Sequence, residues 1–195
     1  MYRHFGKRLC DLTIAIAAFP FWIIMLMILS PLIYLEDRGT VFYSAPRLGK
    51  DGRIFKMYKF RSMKMNAPDI RNEDGSTFNS ENDPRLTKIG RIIRRTSLDE
   101  TPQILNIIKG DMSVVGPRPD LPEDIYLYTE HQRKSLTVRP GVSGYSQAYF
   151  RNAASQEEKF NNDAYYAENV SMLFDMKIIA RTVGAVLKKE NIYKN

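Results

Sequence analysis

The sequence contains one cysteine, Cys10, and two histidines, His4 and His131. A single thiol can neither form an intramolecular disulfide nor supply a cysteine-based zinc site. The histidines are far apart in the sequence, and no motif around either of them indicates a metal ligand. These absences exclude a disulfide-stapled fold and a zinc site built on cysteine.

Acidic residues are outnumbered by basic ones, 22 against 29, which gives a formal net charge of +7. Such a balance indicates an anionic partner, which could be nucleic acid, anionic lipid headgroups or a phosphorylated substrate. The chain of 195 residues has no internal repeat and no low-complexity tract. Its length suits one domain with a modest core besides an anchor segment.

Charge is also absent from one long stretch near the N-terminus, residues 12–35, which is almost entirely apolar. As a straight helix at about 1.5 Å per residue, this stretch reaches roughly 36 Å, enough to cross a hydrocarbon core of about 30 Å. The hydrophobic region of a cleavable signal peptide is shorter, at about 7 to 15 residues. An uncleaved membrane anchor is therefore the favoured interpretation, and it makes lipid or a phosphorylated substrate a better anionic partner than nucleic acid.

Two prolines, Pro20 and Pro31, complicate a simple spanning helix, because neither can donate a backbone hydrogen bond to the preceding turn. Basic residues flank the apolar stretch on both sides, which fits two cytoplasmic ends. We therefore predict a re-entrant membrane helix over 1–38, broken at Pro20 or Pro31 with Pro20 favoured. Residues 39–195 are predicted to form one domain on the cytoplasmic side.

Periodicity and turn signals predict the elements of that domain. Val41–Tyr43 and Ile54–Phe60 are β-prone and flank an Asp-Gly pair, so a small β-hairpin is expected. A polar loop follows over 66–85, and apolar residues then recur at helical spacing from Leu86 to Ile93 opposite basic ones, as in a helix that lies on a membrane surface. Further helices are predicted at 102–109, 156–169 and 175–189. The fold class is α/β with a helical majority, comprising a re-entrant membrane helix, a small hairpin and interfacial amphipathic helices.

Two adjacent carboxylates, Asp99 and Glu100, lie at the start of a predicted helix. One interpretation is helix capping, either by Ser97 and Glu100 as a capping box or by Thr101 as the N-cap with Pro102 in the first helical position. The other is catalysis: one carboxylate can attack phosphorus to form an acyl phosphate, its neighbour can act as a base, and a divalent cation can screen both. The pattern alone leaves both interpretations open.

Cationic side chains elsewhere could bind a phosphate. Pro117-Arg118-Pro119 is a rigid turn that presents one guanidinium, whose planar fork matches phosphate or a nucleobase edge, although a purely structural proline turn is equally consistent. Lys59 and Arg61 end the predicted hairpin and could offer two cations, or could simply form a solvated strand edge. Asp163 has a helical context and is most simply a surface residue.

Several short motifs also occur in a particular order along the chain. They are Lys7-Arg8-Leu9-Cys10-Asp11, the apolar stretch, Tyr58-Lys59-Phe60-Arg61-Ser62-Met63, Asp83-Pro84-Arg85-Leu86, Thr96-Ser97-Leu98-Asp99-Glu100-Thr101-Pro102-Gln103, Lys109-Gly110-Asp111-Met112-Ser113, Val115-Gly116-Pro117-Arg118-Pro119 and Arg139-Pro140-Gly141-Val142-Ser143-Gly144. Together they resemble the bacterial sugar transferase family, the monotopic phosphoglycosyl transferases. The resemblance covers essentially the whole chain, whose size matches small members such as the bacillosamine-phosphate transferase of bacterial N-glycosylation.

The resemblance implies an enzyme of the bacterial cytoplasmic membrane, with its catalytic domain on the cytoplasmic face. It would transfer a sugar 1-phosphate from a UDP-sugar to polyprenyl phosphate, usually undecaprenyl phosphate, and release UMP as the first membrane step of glycoconjugate assembly. Asp99 would be the nucleophile that carries a covalent phosphosugar, with Mg²⁺ beside it and Glu100 as the accompanying acid or base. The implied substrate-binding residues are Lys59, Arg61, Arg85, Pro117, Arg118, Pro119, Arg139 and Asp163.

Two features depart from the family pattern. Small members break the membrane helix at a central Ser-Pro pair, whereas this chain has Phe19-Pro20 near the centre and Ser30-Pro31 late. Many relatives read Gln-Val-Asn-Gly-Arg where this chain has Gln147-Ala148-Tyr149-Phe150-Arg151. The alternative function is a membrane-tethered basic binding module in which the carboxylate pair only caps a helix. The expected partners are a UDP-sugar, polyprenyl phosphate and membrane lipids but no nucleic acid, and the sequence does not define the sugar, the pathway or the oligomeric state.

Overall fold

The structure is a computed structural model that describes residues 2–70, 78, 80, 82–150 and 154–187. Helices form the majority of it, as the sequence predicts. The helices are α1 (Lys7–Asp37), α2 (Lys88–Arg95), α3 (Gln103–Lys109), α4 (Tyr145–Tyr149), α5 (Gln156–Glu168) and α6 (Met172–Leu187), and the strands are β1 (Phe42–Leu48), β2 (Ile54–Phe60), β3 (Ser113–Val115) and β4 (Gly141–Ser143).

The apolar stretch lies within α1, a helix of 31 residues that is long and apolar enough to cross a membrane. The helix continues through Pro20 and Pro31, so neither proline ends it. Each proline removes one backbone hydrogen bond, and the bonds of the neighbouring turns keep the helical assignment. The helix therefore does not end at Pro20 or at Pro31, where a break was predicted.

One face of α1 packs against the rest of the chain along most of its length. Ala15 and Trp22 belong to a buried cluster with residues of β2 and α3, and Leu29 and Ile33 belong to a second cluster with Phe60 and residues of α2. The other face exposes large apolar side chains, among them Ile16, Phe21, Ile24, Met27, Ile28, Leu32 and Leu35. An apolar surface of this extent is rare on soluble monomers and is typical of a membrane or partner interface.

The predicted hairpin is present, with β1 and β2 antiparallel and Ala45 opposite Met57. Its tip is the short 3₁₀ turn Lys50–Gly52, in which Asp51 and Gly52 both have positive φ angles. Strand β2 carries Phe60 into the core and ends beside the turn that follows α2. The hairpin therefore holds Lys59 near the carboxylate pair.

A second, unpredicted sheet pairs β3 with β4 in parallel. It brings the loop after Val115 against Gly141, and the two backbones approach so closely that a Cβ atom on either Gly116 or Gly141 would clash with the other chain segment. Glycine is required at both positions for this contact. The sheet thereby fixes the start of the Pro117-Arg118-Pro119 turn.

Helices α2, α3, α5 and α6 lie close to their predicted bounds, whereas α4 was not predicted. The Thr87 side chain caps α2 by accepting from Gly90 N, Ser155 and Glu158 form a capping box for α5, and Gly110, with φ 95°, ends α3. Helix α6 begins three residues before its predicted start, and its predicted last residue lies outside the described residues, as does Arg151. The carboxylate of Glu36, near the end of α1, accepts hydrogen bonds from the backbone of Lys88 and Ile89, so α1 directly caps α2.

Candidate active site

Asp99 and Glu100 lie in the 3₁₀ turn Leu98–Glu100 between α2 and α3. Ser97, which precedes the turn, has a left-handed backbone with φ 58°, and its side chain makes no capping hydrogen bond. Thr101 donates its hydroxyl to Leu98 O at 2.8 Å, and α3 begins at Gln103 with Pro102 before it and no side-chain cap. The capping interpretation is therefore wrong in both its forms, and the two carboxylates are available for chemistry.

The Asp99 side chain is buried, with 7% of the residue exposed. Burial raises the pKa of Asp99 to about 6, against the nearby charge of Lys59, which lowers it. The carboxylate is thus poorly solvated yet ionised at neutral pH. A desolvated anion of this kind is a better nucleophile than a carboxylate in water.

The pKa of Glu100 is shifted in the opposite direction, below its usual value. Its Oε1 lies 2.6 Å from Lys59 Nζ, and the charges of Lys59 and Arg118 hold the pKa of Glu100 below its usual value despite burial. Two neighbouring carboxylates with pKa values pushed apart are suited to different roles in one reaction. Lys59 therefore lies beside the carboxylate pair and not at a solvated strand edge, and its part in substrate binding stays a prediction.

Arg118 presents its side chain to solvent from a turn whose two prolines, Pro117 and Pro119, are buried. The backbone N of Arg118 donates to Asp163 Oδ2 at 3.2 Å, which holds the turn from below. The Arg118 charge lowers the pKa of Glu100, so the guanidinium lies within electrostatic range of that carboxylate. The structure thus contains a Pro-Arg-Pro turn with an exposed Arg118 side chain, and its part in substrate binding stays a prediction.

Asp163 is buried, with 4% of the residue exposed, so the interpretation as a surface residue is wrong. One face of α5 packs inward, and this carboxyl lies on that face. Burial raises the pKa of Asp163 well above its usual value, the nearby Asp120 raises it further, and Oδ1 has no hydrogen-bond partner. Asp120 is also affected by burial, which raises its pKa to about 6 while Tyr128 donates to it at 2.5 Å.

The guanidinium groups of Arg61, Arg85 and Arg139 are engaged elsewhere. Arg61 forms a forked ion pair with Asp37, with both N–O distances 2.6 Å, and Arg85 forms one with Asp83. Arg139 donates Nε to Gly110 O at 2.7 Å. None of the three makes a described contact with either carboxylate of the pair, so the structure does not bring these predicted substrate-binding residues to it.

Sequence reasoning missed Arg94 as a member of the site. It occupies the last turn of α2, and its charge lowers the pKa of both Asp99 and Glu100. The sequence signal was present, since Arg94 precedes Asp99 by only five residues, but the amphipathic pattern assigned it to the polar face of α2. Cations on β2, α2 and the proline turn therefore lower the pKa of at least one carboxylate of the pair.

The described residues contain no group of three or more His, Cys, Asp or Glu side chains placed to hold a metal ion. Mg²⁺ does not require such a group, because it commonly binds through one or two carboxylates together with waters and the phosphates of a substrate. Asp99 and Glu100 fit that smaller requirement.

A family model described as bacterial sugar transferase matches residues 2–189. The chain belongs to the bacterial sugar transferase family. This confirms the family drawn from the order of the motifs and identifies the protein as a transferase.

Individual relatives agree with that assignment. This sugar transferase is 42% identical over 186 residues to the "Uncharacterized sugar transferase EpsL" of Bacillus subtilis, covering 95% of this chain and 89% of that protein. It is 38% identical over 188 residues to the undecaprenyl-phosphate galactose phosphotransferase of Salmonella typhimurium, covering 88% of this chain and 40% of the relative. It is 35% identical over 195 residues to the UDP-N-acetylgalactosamine-undecaprenyl-phosphate N-acetylgalactosaminephosphotransferase of Aeromonas hydrophila, covering 94% of this chain and 44% of that relative. The sugar transferase thus spans less than half the length of the Salmonella and Aeromonas relatives.

We expect the activity of the sugar transferase to fall as the pH drops through about 6, because the carboxylate of Asp99, the predicted nucleophile, is then protonated. In Lys59→Met the cation that lowers the pKa of both carboxylates is gone, so both pKa values rise and the acid limb of kcat/KM moves to higher pH. Lys56→Met, at an exposed position of the same strand, is the matched control. A pH profile of Lys59→Met that superimposes on those of the wild type and the control contradicts this electrostatic assignment.

Proposed function

We propose that this sugar transferase moves a sugar 1-phosphate from a UDP-sugar to undecaprenyl phosphate and releases UMP. The names of the Salmonella and Aeromonas relatives support this reaction class. The observation that carries the proposal is the carboxylate pair: Asp99 is buried with a raised pKa and no capping role, and Glu100 is kept ionised by Lys59. A binding module that uses the pair as a helix cap has lost its main support, because no such cap exists.

The proposed reaction has two displacements at one phosphorus. A carboxylate oxygen of Asp99 attacks the sugar-bearing phosphorus of the donor, and the bond to the bridging oxygen breaks, so that UMP leaves with that oxygen. An oxygen of the acceptor phosphate then attacks the same phosphorus, and the bond to Asp99 breaks and restores the carboxylate. The water-soluble donor and the lipid acceptor therefore use one site in turn.

The cations near the carboxylate pair would stabilise the negative charge of the reacting phosphates. Transfer of a phosphoryl group depends mainly on positioning and on stabilising negative charge. Lys59, Arg94 and Arg118 supply positive charge from three different elements, and the buried prolines keep the Arg118 turn rigid. Asp99 and Glu100 would hold Mg²⁺, which supplies further neutralisation of the phosphates when bound.

The test is a panel of UDP-sugars, each incubated with the purified protein, undecaprenyl phosphate and Mg²⁺, with UMP as the measured product. We expect UMP from a subset of donors. UMP in molar excess over the protein should form only when the acceptor is present as well. Absence of UMP with every donor, from protein whose folded state is verified by thermal unfolding, overturns the proposed function in favour of a non-catalytic role.

We also propose that both ends of α1 lie on the cytoplasmic face of the bacterial inner membrane, so that the protein is monotopic. The first turn is tied to the domain by a buried ion pair, with Lys7 Nζ 2.7 Å from Asp175 Oδ2, and the last turn by the forked pair of Asp37 with Arg61. A helix that crossed the bilayer would have to release one of these pairs. The Lys7–Asp175 pair is the buried one, so releasing it would leave the Asp175 carboxylate without its cation.

Cysteine labelling tests this topology. In a Cys10→Ser background, a cysteine placed ahead of Met1 and one at Asp51 should both resist a membrane-impermeant maleimide in intact cells with a permeabilised outer membrane. Both should react once the inner membrane is opened. Labelling of the N-terminal cysteine in intact cells while Asp51→Cys stays protected contradicts the monotopic topology.

A further inference from the structure

A cavity of about 260 Å³ lies beside the start of α1. Its walls come from the first turns of α1 and the segment before them, the tip of the hairpin, and the loop that leads into β4. Five of its lining side chains are basic and one is acidic: Arg3, Lys7, Arg8, Lys50, Arg139 and Asp11. The lining of the cavity therefore carries a large excess of positive charge.

Protein carboxylates neutralise only part of this charge. Lys7 is paired with Asp175 at 2.7 Å, and Asp11 accepts from Ser113 Oγ and Val114 N, both at 2.9 Å. Within the described part of the chain, no carboxylate forms an ion pair with any of the other four basic residues that line the cavity. Four cations thus face a cavity with a single acid, Asp11, whose one negative charge offsets only part of theirs.

Three of these cations are held in place by neutral acceptors. Arg3 donates to Thr137 Oγ1 at 2.8 Å, Arg8 to the backbone oxygen of Ile107 at 2.6 Å, and Arg139 to that of Gly110. Such bonds orient a guanidinium without removing its charge, and they leave its other N–H groups free to donate. Donors that are already ordered bind an anion at a lower entropic cost.

Capping of α3 explains some of this arrangement. Arg8 and Arg139 donate to carbonyls at the C-terminal end of α3, where the helix dipole favours cations. That role does not account for Arg3, which binds a side chain of another segment, or for Lys50, which comes from the hairpin tip. Side chains from separate elements that converge on one cavity with uncompensated charge indicate an anionic ligand.

The cavity is separate from the carboxylate pair. Lys50 is at the tip of the hairpin, whereas Lys59, which contacts Glu100, is near the opposite end of β2. The five steps along the strand from Ile54 to Lys59 alone span about 16 Å at the rise of a β-strand. The cavity is also smaller than the roughly 300 to 1,000 Å³ of typical small-molecule sites, so a phosphate group suits it better than a whole nucleotide sugar.

We propose that this cavity is a second anion site that takes a phosphate group. The group could be the headgroup phosphate of an anionic phospholipid, since the site adjoins the start of the apolar helix, or a free phosphate from solution. The proposal does not depend on the carboxylate chemistry, because it concerns residues at the other end of the hairpin.

The test compares a double variant, Arg3→Gln with Lys50→Gln, with a control that removes the same amount of charge from the hairpin alone, Arg53→Gln with Lys56→Gln. Both control residues are exposed, and neither lines the cavity. One arm titrates inorganic phosphate into the full chain in non-ionic detergent and follows ³¹P line broadening. The other arm measures, by native mass spectrometry, the lipid retained from nanodiscs of phosphatidylcholine with or without phosphatidylglycerol.

A headgroup ligand predicts selective retention of phosphatidylglycerol by the wild type and the control, with roughly tenfold less in the Arg3/Lys50 variant, which corresponds to about 1.4 kcal/mol. A free anion predicts saturable phosphate binding with the same pattern among the three proteins and no preference between lipids. Either pattern supports the site and identifies the source of the phosphate. Equal binding by all three proteins, or an equal loss in the control, shows only nonspecific attraction and overturns the proposal.

Discussion

Asp99→Asn should fold and remain membrane-bound but release almost no UMP, with a loss of at least about 10³-fold in kcat. The amide occupies the same volume but has no anionic oxygen to attack phosphorus. The folded state should tolerate the change well. Because burial raises the pKa of Asp99, the ionised carboxylate opposes folding at pH values above about 6, and a neutral amide removes that cost.

The covalent step is measured directly with radiolabelled UDP-sugar and no acceptor. The wild type should retain label on the protein, whereas Asp99→Asn should not, and Asp99→Glu should also fail because in-line displacement tolerates little misplacement of the attacking oxygen. Asp51→Asn is the matched control, since Asp51 is exposed at the hairpin tip and asparagine suits its positive φ. Near-normal turnover by Asp99→Asn, or no label on the wild type in a single turnover, would favour direct transfer between the two substrates.

Asp175→Ala should lower the free energy of unfolding by about 3 to 5 kcal/mol. The Asp175 carboxylate accepts from Tyr2, Lys7 and Tyr166 at 2.6, 2.7 and 2.7 Å, and only 4% of the residue is exposed. Removing it leaves a buried ammonium, the buried Tyr166 hydroxyl and the half-buried Tyr2 hydroxyl without their shared acceptor. Thermal unfolding in detergent measures the loss.

Two comparisons separate this effect from a general loss of surface charge. Glu168→Ala breaks an ion pair with Lys134 of similar length at an exposed position and should change the unfolding temperature little. Adding Lys7→Met to Asp175→Ala removes the unpaired ammonium and should recover part of the lost stability. If Asp175→Ala unfolds at the temperature of Glu168→Ala, the first turn of α1 is not held by the buried pair.

The elements that the sequence predicted well are those with local signals. The β-hairpin follows from an Asp-Gly turn between two β-prone segments, and α3 ends where Gly110 adopts a positive φ. The parallel pair of β3 and β4 has only three residues in each strand, separated by a long connection. Its pairing depends on tertiary contact, so no local pattern could predict it.

The candidate site likewise has some features that the sequence predicts and others that depend on tertiary contacts. Residue types and order identified Asp99, Glu100, Lys59 and Arg118, whereas the S-x-x-E spacing suggested a capping box that does not form. That motif requires an extended backbone at Ser97, and the observed left-handed conformation is not encoded by spacing. The burial of Asp163 and the partners of the other arginines likewise depend on segments distant in sequence, which a single sequence does not place in contact.

The hydrogen bonds from the start of α2 to Glu36 couple the position of α1 to that of the Asp99 carboxylate. Helix α2 is short and leads directly into the turn that carries Asp99, so a shift of α1 along the bilayer normal would carry Asp99 with it. In the proposed topology the position of α1 in the membrane sets the position of Asp99 and keeps it at the level of the lipid phosphates. The acceptor can then react with its hydrocarbon chain still in the bilayer, which avoids a cost of about 0.8 kcal/mol for every methylene drawn into water.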